Sequence, residues 1–229
     1  MRPWRRLLAP GLSATLALAL LIALGTWQVY RLHWKEGILA RIAASEAGPP
    51  VPLSASASPY QKVSVSGRFR YDQAVWFGAE VRDLGAEPQM GYFQIVPLER
   101  ADGPPILVDR GWVPDTAAAP VVNPPGLVTV QGYVRPAQGH AWFQPSDNVA
   151  GKHFYTLDPR AIAAALHLPP PMPFVIVALG PDDAGVYPAP AQHLPRPPNN
   201  HLSYAITWYG LAVALVVIFG VWARNTLRA

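Results

Sequence analysis

Arg196-Pro-Pro-Asn-Asn-His201-Leu-Ser-Tyr-Ala-Ile-Thr-Trp208-Tyr209 leads into the last apolar run of the chain, and its reading decides the fold. Pro197 and Pro198 hold the chain extended and cannot continue a helix. Asn199 and Asn200 follow, and asparagine is among the best N-caps because its side chain accepts from an orphan backbone N–H. No residue in 202–223 is charged. At the helical rise that length covers roughly 33 Å, about one hydrocarbon core. The sequence therefore predicts a membrane helix with His201 in its first turn, near the water boundary. The positive end of the helix dipole favours a neutral imidazole there, the form that binds a metal. Tyr204, Ala205 and Trp208 follow at helical spacing on the same face. Ala205 is small enough to let a flat ring approach, and Trp208 offers a stacking wall. The same residues equally describe an interfacial histidine among belt aromatics.

The other end of the chain mirrors this one. Arg2, Arg5 and Arg6 precede an apolar run over 7–30, interrupted early by Pro10-Gly11. A cleaved signal peptide is the competing reading, but the run is too long and ends in Gly-Thr-Trp-Gln rather than small-x-small. Residues 12–30 give roughly 28 Å of helix, enough to span, so an uncleaved anchor is expected. Helical patterning continues to about residue 47, with Leu32, Ile38, Leu39 and Ile42 on an apolar side. Trp27, Arg31 and Lys35 recur every fourth residue on another side, where snorkelling beside an aromatic is one explanation. The space before Leu7 is too short for a mitochondrial presequence, so a bacterial membrane is expected. Arg224 and Arg228 favour both termini inside, although Arg31, Lys35 and Arg41 weaken that preference.

Composition excludes several chemistries. Charged residues make up 14% of the chain, below the soluble average of about a quarter, as for a protein partly dissolved in lipid. The net charge of +4 is spread out, so no nucleic-acid stripe forms and no nucleic-acid partner is expected. The cysteine count of 0 removes disulfides, thiolate sites and c-type haem attachment. With 3 methionines as well, the soft sulfur ligands of a copper carrier are missing.

Between the helices the pattern turns to strands. A loop rich in Pro, Ala and Ser occupies 48–59. In 61–71, Val63, Val65, Phe69 and Tyr71 alternate with Lys62, Ser64, Ser66, Arg68 and Arg70, a half-buried strand. Asp72-Gln73 is short enough for a hairpin into a second strand at 74–82. Further strands are predicted at 92–98, 106–113, 127–135, 153–157 and 174–179. Asp158-Pro159 opens a short helix to about His167. The 27 prolines make the connections stiff. A mainly antiparallel β barrel or sandwich, with one short helix, fits better than a parallel sheet. In Val108-Asp-Arg-Gly-Trp-Val-Pro114, Asp109 and Arg110 fall on opposite faces, Gly111 permits a bulge, and a structural salt bridge is the expected use of Asp109 or Arg110.

Catalytic patterns are missing. There is no G-x-S-x-G, no phosphate loop and no dinucleotide fingerprint. The six histidines (33, 140, 153, 167, 193 and 201) contain no i, i+4 pair.

Four stretches carry a resemblance: the segment around His201; Leu24-Gly-Thr-Trp-Gln28 with Arg31, Trp34 and Lys35; Pro59-Tyr-Gln-Lys-Val63 with Gly67; and Val108–Pro114. In this order they resemble the surfeit-locus family of cytochrome c oxidase assembly proteins. The resemblance implies two transmembrane helices in the bacterial inner membrane, with the central domain in the periplasm. The expected divisions are a cytoplasmic N-terminus at 1–11, helices at 12–30 and 201–223, a helical extension at 31–47, a periplasmic mainly-β domain at 48–200, and a cytoplasmic C-terminus at 224–229. It further implies haem a as cofactor, His201 as iron ligand, and a role in passing haem a to the catalytic oxidase subunit. Trp208 and Tyr204 would wall the ring, and Arg31 or Lys35 would meet propionates or the oxidase. The expected partners are that subunit, haem a synthase and membrane lipid. A non-enzyme is expected; the alternative class is a cofactor-free membrane scaffold, and a haem-modifying enzyme would need more intramembrane histidines.

Overall fold

The computed structural model describes residues 6–83, 87–116 and 120–228. The chain divides into two compact units. One is formed by the two ends of the chain, up to Arg41 and from Arg196, and the other is Ile42–Pro195.

The first unit is helical. Helix α1 (Leu8–Ala47) begins in it, and helix α3 (His201–Arg228) completes it. Both helices are long and apolar enough to cross a membrane. The less exposed positions of α1 fall at Gly11, Ala14, Leu18, Leu21, Gly25 and Gln28, alternating steps of three and four. Those of α3 fall at His201, Ala205, Trp208, Ala212, Leu215 and Phe219 with the same rhythm. That spacing is the seam of two helices packed at a shallow angle. The pairing is antiparallel: His201 meets Gln28, Tyr209 meets Thr26, and Phe219 meets Gly11. Small residues set the approach, since the Tyr209 ring lies directly on Gly25. The remaining surface of α3 is apolar and open, with Ile206, Val213 and Ile218 all more than 60% exposed.

The second unit is built around one sheet. Its strands are β1 (Val51–Pro52), β2 (Lys62–Phe69), β3 (Val75–Asp83), β4 (Pro88–Glu99), β5 (Ile106–Pro114), β6 (Val128–Pro136), β7 (His153–Phe154) and β8 (Phe174–Ala178). Neighbours run β1-β2-β6-β8-β5-β4-β3-β7, and β2 also pairs with β4 through Arg68–Glu99 and Phe69–Leu98. That extra pairing closes β2, β6, β8, β5 and β4 into a small barrel, leaving β1, β3 and β7 outside the ring. Gly67 stands where β2 leaves β6 for β4, and a side chain there would collide with the Glu99 carbonyl. Val63, Val65, Leu98, Val108, Val134 and Ile176 fill the barrel. The opposite face carries a second core of Val75, Phe77, Ile95, Leu107 and Val175, covered by Phe154, Leu157 and Ile162. Ile162 comes from the short helix α2 (Pro159–Ala165), whose Asp158 cap accepts from the Arg160 and Ala161 N–H groups.

The predicted strands thus appear, with three differences. The mainly antiparallel sheet contains parallel ladders at β1–β2, β3–β7 and β5–β8. The loop expected at 48–59 contains the edge strand β1. The expected β2–β3 hairpin does not form among the described residues, because Tyr71–Gln73 is a 3-10 turn. Arg70 N–H donates to Pro97 O, which holds the end of β2 on β4 and sends β3 to the far side of β4.

Two signature stretches are explained by the fold. Lys62 Nζ donates to the Glu46 and Gly48 carbonyls at 2.6 and 2.8 Å, and its backbone N–H donates to Ser45 Oγ. A lysine thereby satisfies the carbonyls at the C-terminal end of α1. In Val108–Pro114, Gly111 has φ +124, and a Cβ there would strike the Ala189 backbone. Trp112 exchanges backbone hydrogen bonds with Ala189, and its indole donates to Glu80 O at 3.1 Å. Asp109 is 1% exposed; its carboxylate accepts from Gly111 N–H and lies 3.9 Å from Arg135. Burial outweighs the nearby cation and pushes its carboxyl up to about 6. Arg110, on the opposite side, donates to Gln94, Asn123 and the Val122 carbonyl and lies over the Phe69 and Tyr71 rings. Both residues of the Asp-Arg pair therefore have structural work in the barrel.

Candidate functional site

His201 is the first residue of α3, and Asn200 O accepts the Tyr204 N–H at 3.3 Å. The Asn200 carbonyl also accepts from Ser203 Oγ at 2.8 Å. This places the imidazole at the positive end of the helix. Its Nδ1 lies 2.7 Å from Gln28 Oε1. An amide oxygen only accepts, so Nδ1 carries the proton and donates. Nε2 then holds a lone pair that this bond does not use. A histidine whose Nδ1 proton is committed to a carbonyl has the tautomer that ligates a metal through Nε2.

Gln28 was not among the residues that sequence reasoning chose for the site. It is 8% exposed and is the single amide side chain in the apolar run 7–30. A hydrogen-bonding group that expensive to bury in an apolar helix was the available signal.

The other expected residues fall differently. Trp208 lies half-buried on the same stripe as His201. Between them Ala205 is 3% exposed, so the open floor expected for a flat ring is covered. Tyr204 is 55% exposed and stands off the seam. Arg31 lies on α1 with its guanidinium 4.2 Å over the Trp34 ring, a cation–π contact within its own helix. A second interhelical hydrogen bond joins Thr26 Oγ1 and the Tyr209 hydroxyl at 3.0 Å, deeper along the pair. An apolar groove of about 450 Å³, lined by Ala14, Ala17, Leu215, Ile218 and Phe219, opens near the far end. It is roughly 27 Å along α3 from His201, too far to belong to the same ring site. Asn199 Oδ1 is buried without a hydrogen-bond partner among the described residues. Among the described residues no group of three or more His, Cys, Asp or Glu side chains could hold a metal ion. A metal at His201 would therefore need most of its ligands from a group it already belongs to, as in a porphyrin. The residues present fit such a group through one imidazole nitrogen.

The fold defines a class of proteins in which two apolar, bilayer-length helices bracket a small β barrel. Within that class the chain belongs to the SURF1 family, whose model matches residues 15–213. It is 28% identical over 224 residues to a SURF1-like protein of Rickettsia felis, covering 94% of this chain and 97% of that one. It is 28% identical over 212 residues to a SURF1-like protein of Monosiga brevicollis, covering 86% of this chain and 80% of the relative. Human surfeit locus protein 1 is 29% identical over 226 residues, covering 90% and 73% of the two chains.

Proposed function

We propose that this protein is a cytochrome c oxidase assembly factor that binds haem a and assists its insertion into the catalytic oxidase subunit. Membership of the SURF1 family supports the assembly role. The observation that carries the haem reading is the 2.7 Å contact between His201 Nδ1 and Gln28 Oε1, which leaves Nε2 for iron. Haem, when bound, would supply an iron that accepts an imidazole nitrogen. His201 would donate that nitrogen, and Gln28 would hold the ring and its tautomer. Trp208 would flank the ring, Tyr204 would offer an exposed aromatic edge, and Arg31 would face propionates on leaving Trp34. A single imidazole gives moderate affinity, which suits a donor that must release its cargo. Both helices would span the bacterial inner membrane, with termini in the cytoplasm and the barrel in the periplasm. Haem a synthase would be the upstream partner, and the protein itself would perform no covalent chemistry.

One observation favours a second reading, a cofactor-free scaffold. Ala205 and its neighbours on the seam are already covered, and the His201–Gln28 bond would then serve only to lock two helices. The deciding experiment is the reduced-minus-oxidised spectrum of the full chain purified after co-expression with haem a synthesis. The haem reading expects a haem signal in the parent protein and its loss, at equal protein yield, in His201→Ala. Trp208→Phe is expected to retain more haem than His201→Ala. A colourless parent protein, or an unchanged haem-to-protein ratio in His201→Ala, overturns His201 ligation.

A further inference from the structure

The β-rich unit displays two aromatic side chains to solvent in a manner its packing does not require. Trp142 is 92% exposed and Phe143 is 73% exposed. Their rings meet edge to face, with centroids 5.5 Å apart and planes at 87°. Leaving such a pair in water forgoes the free energy that burying two large apolar side chains would release. A slack loop would recover that energy by folding the rings against the domain.

This loop is not slack. Gln144 Oε1 accepts from Ala141 N–H at 3.0 Å, its Nε2 donates to Tyr155 O at 2.6 Å, and its backbone N–H donates to Ala141 O. Asp147 accepts from the Tyr155 and Thr156 N–H groups at 2.7 and 3.0 Å. Asn148 Oδ1 accepts from Gly151 N–H, and the Asn148 backbone bridges His153. His140 Nδ1 lies 3.2 Å from Thr156 Oγ1. The side chains of His140, Gln144, Asp147 and Asn148 are thus spent on the loop and on the segment around β7. The aromatic tip is fixed in place, and no residue in 136–146 is charged.

We propose that Trp142 and Phe143 form a membrane-interface anchor, inserting at the headgroup boundary of the bilayer. Tryptophan and phenylalanine favour that layer, and insertion demands no directional hydrogen bonds from the protein. A protein docking site is specified by polar side chains free to bond a partner, and here the Gln144 amide and the Asp147 carboxylate are already bonded within the domain. The unit is also joined at both ends to helices long and apolar enough to cross a membrane. The proposal rests on their spanning the bilayer, as read under the proposed function. That tether keeps the unit at a bilayer surface, so two side chains suffice where a free domain would need more. The anchor would limit the freedom of the β-rich unit above the membrane and present one face of it to a membrane-embedded partner.

The test uses the absence of cysteine, which makes any introduced thiol unique. Full-length Phe143→Cys and, separately, Val213→Cys are spin-labelled and reconstituted in phosphatidylethanolamine–phosphatidylglycerol vesicles. Collision with oxygen is compared with collision with a water-soluble nickel chelate. Position 213, on the open flank of α3, reports whether the helix spans. Position 143 is expected to favour oxygen over the chelate. Adding Trp142→Ser should lower the inserted-to-free ratio about tenfold or more and restore chelate access. A chelate-accessible label at 143 with an oxygen-rich label at 213 overturns the anchor but not the spanning helix. A label at 143 shielded from both reagents places the tip against protein, here a second copy, and also overturns it. A water-exposed label at 213 removes the spanning reading and the anchor together.

Discussion

The barrel and the helix pair both bury polar side chains, but for different reasons. In the barrel each such group answers a need of the fold. Lys62 satisfies the carbonyls at the end of α1, and Asp109 receives the N–H of a glycine held at φ +124. Arg110 gathers carbonyl and amide oxygens around a packed aromatic pair. In the helix pair the backbone is already satisfied, and small residues such as Gly25 and Ala212 supply the packing. The Gln28–His201 bond is not needed to close any strand or cap any terminus. A part-buried polar pair that closes no strand and caps no terminus is where function is best tested.

That contrast can be broken most severely in the barrel core. Val65 is 5% exposed within it, so Val65→Asp strands a carboxyl among apolar groups and should cost about 3 kcal/mol or more. Ser64→Asp, on the outer face of the same strand, should stay within about 1 kcal/mol. Urea unfolding followed by tryptophan fluorescence reads both, and equal tolerance would mean the face assignment is wrong.

A smaller effect is expected from pH. Burial raises the Asp109 carboxyl to about 6 in the folded chain, above its unfolded value of 3.8. The folded state therefore binds the extra proton between these values. Its stabilisation is complete below the lower one and is lost as pH rises through about 6. The loss from pH 4 to pH 7 should be on the order of 2–3 kcal/mol, and Asp109→Asn should flatten that part of the profile. An unaltered profile in the variant would assign the titration to another group.

The smallest stability effect belongs to the helix pair. Gln28→Leu removes an interhelical hydrogen bond and should change stability by less than about 1 kcal/mol. Haem retention should nevertheless fall about tenfold or more, because His201 loses the partner that fixes its tautomer. Denaturation and haem titration of the same preparation separate the two quantities. A large loss of stability with unchanged haem affinity would make Gln28 a helix lock and strengthen the scaffold reading.

Much of this architecture was legible in residue order. Alternation exposed the strand at 61–71, proline after Asp158 marked α2, and uncharged runs marked both long helices. The strand partners were not legible. Asp72-Gln73 reads as a hairpin turn, yet β3 pairs with β4, because Arg70 is bonded to Pro97 across the closing edge of the barrel. His201 could be singled out because a titratable group at the head of an apolar helix is conspicuous. Gln28 stands out in the sequence only as an amide in an apolar run, and its partner appears only when a residue 173 positions away is brought within 2.7 Å.

Residue order and composition were enough to show where the chain is apolar, which faces of its strands and helices are buried, and that cysteine chemistry is excluded. These follow from local periodicity and composition, which act over a turn or a strand. Only the assembled fold shows that the sheet closes through β2 and β4, that Gly111 must make room for Ala189, and that Gln28 lies 2.7 Å from the His201 imidazole. Each depends on two segments distant in sequence meeting in space, and short-range patterning carries no record of which distant segment will arrive.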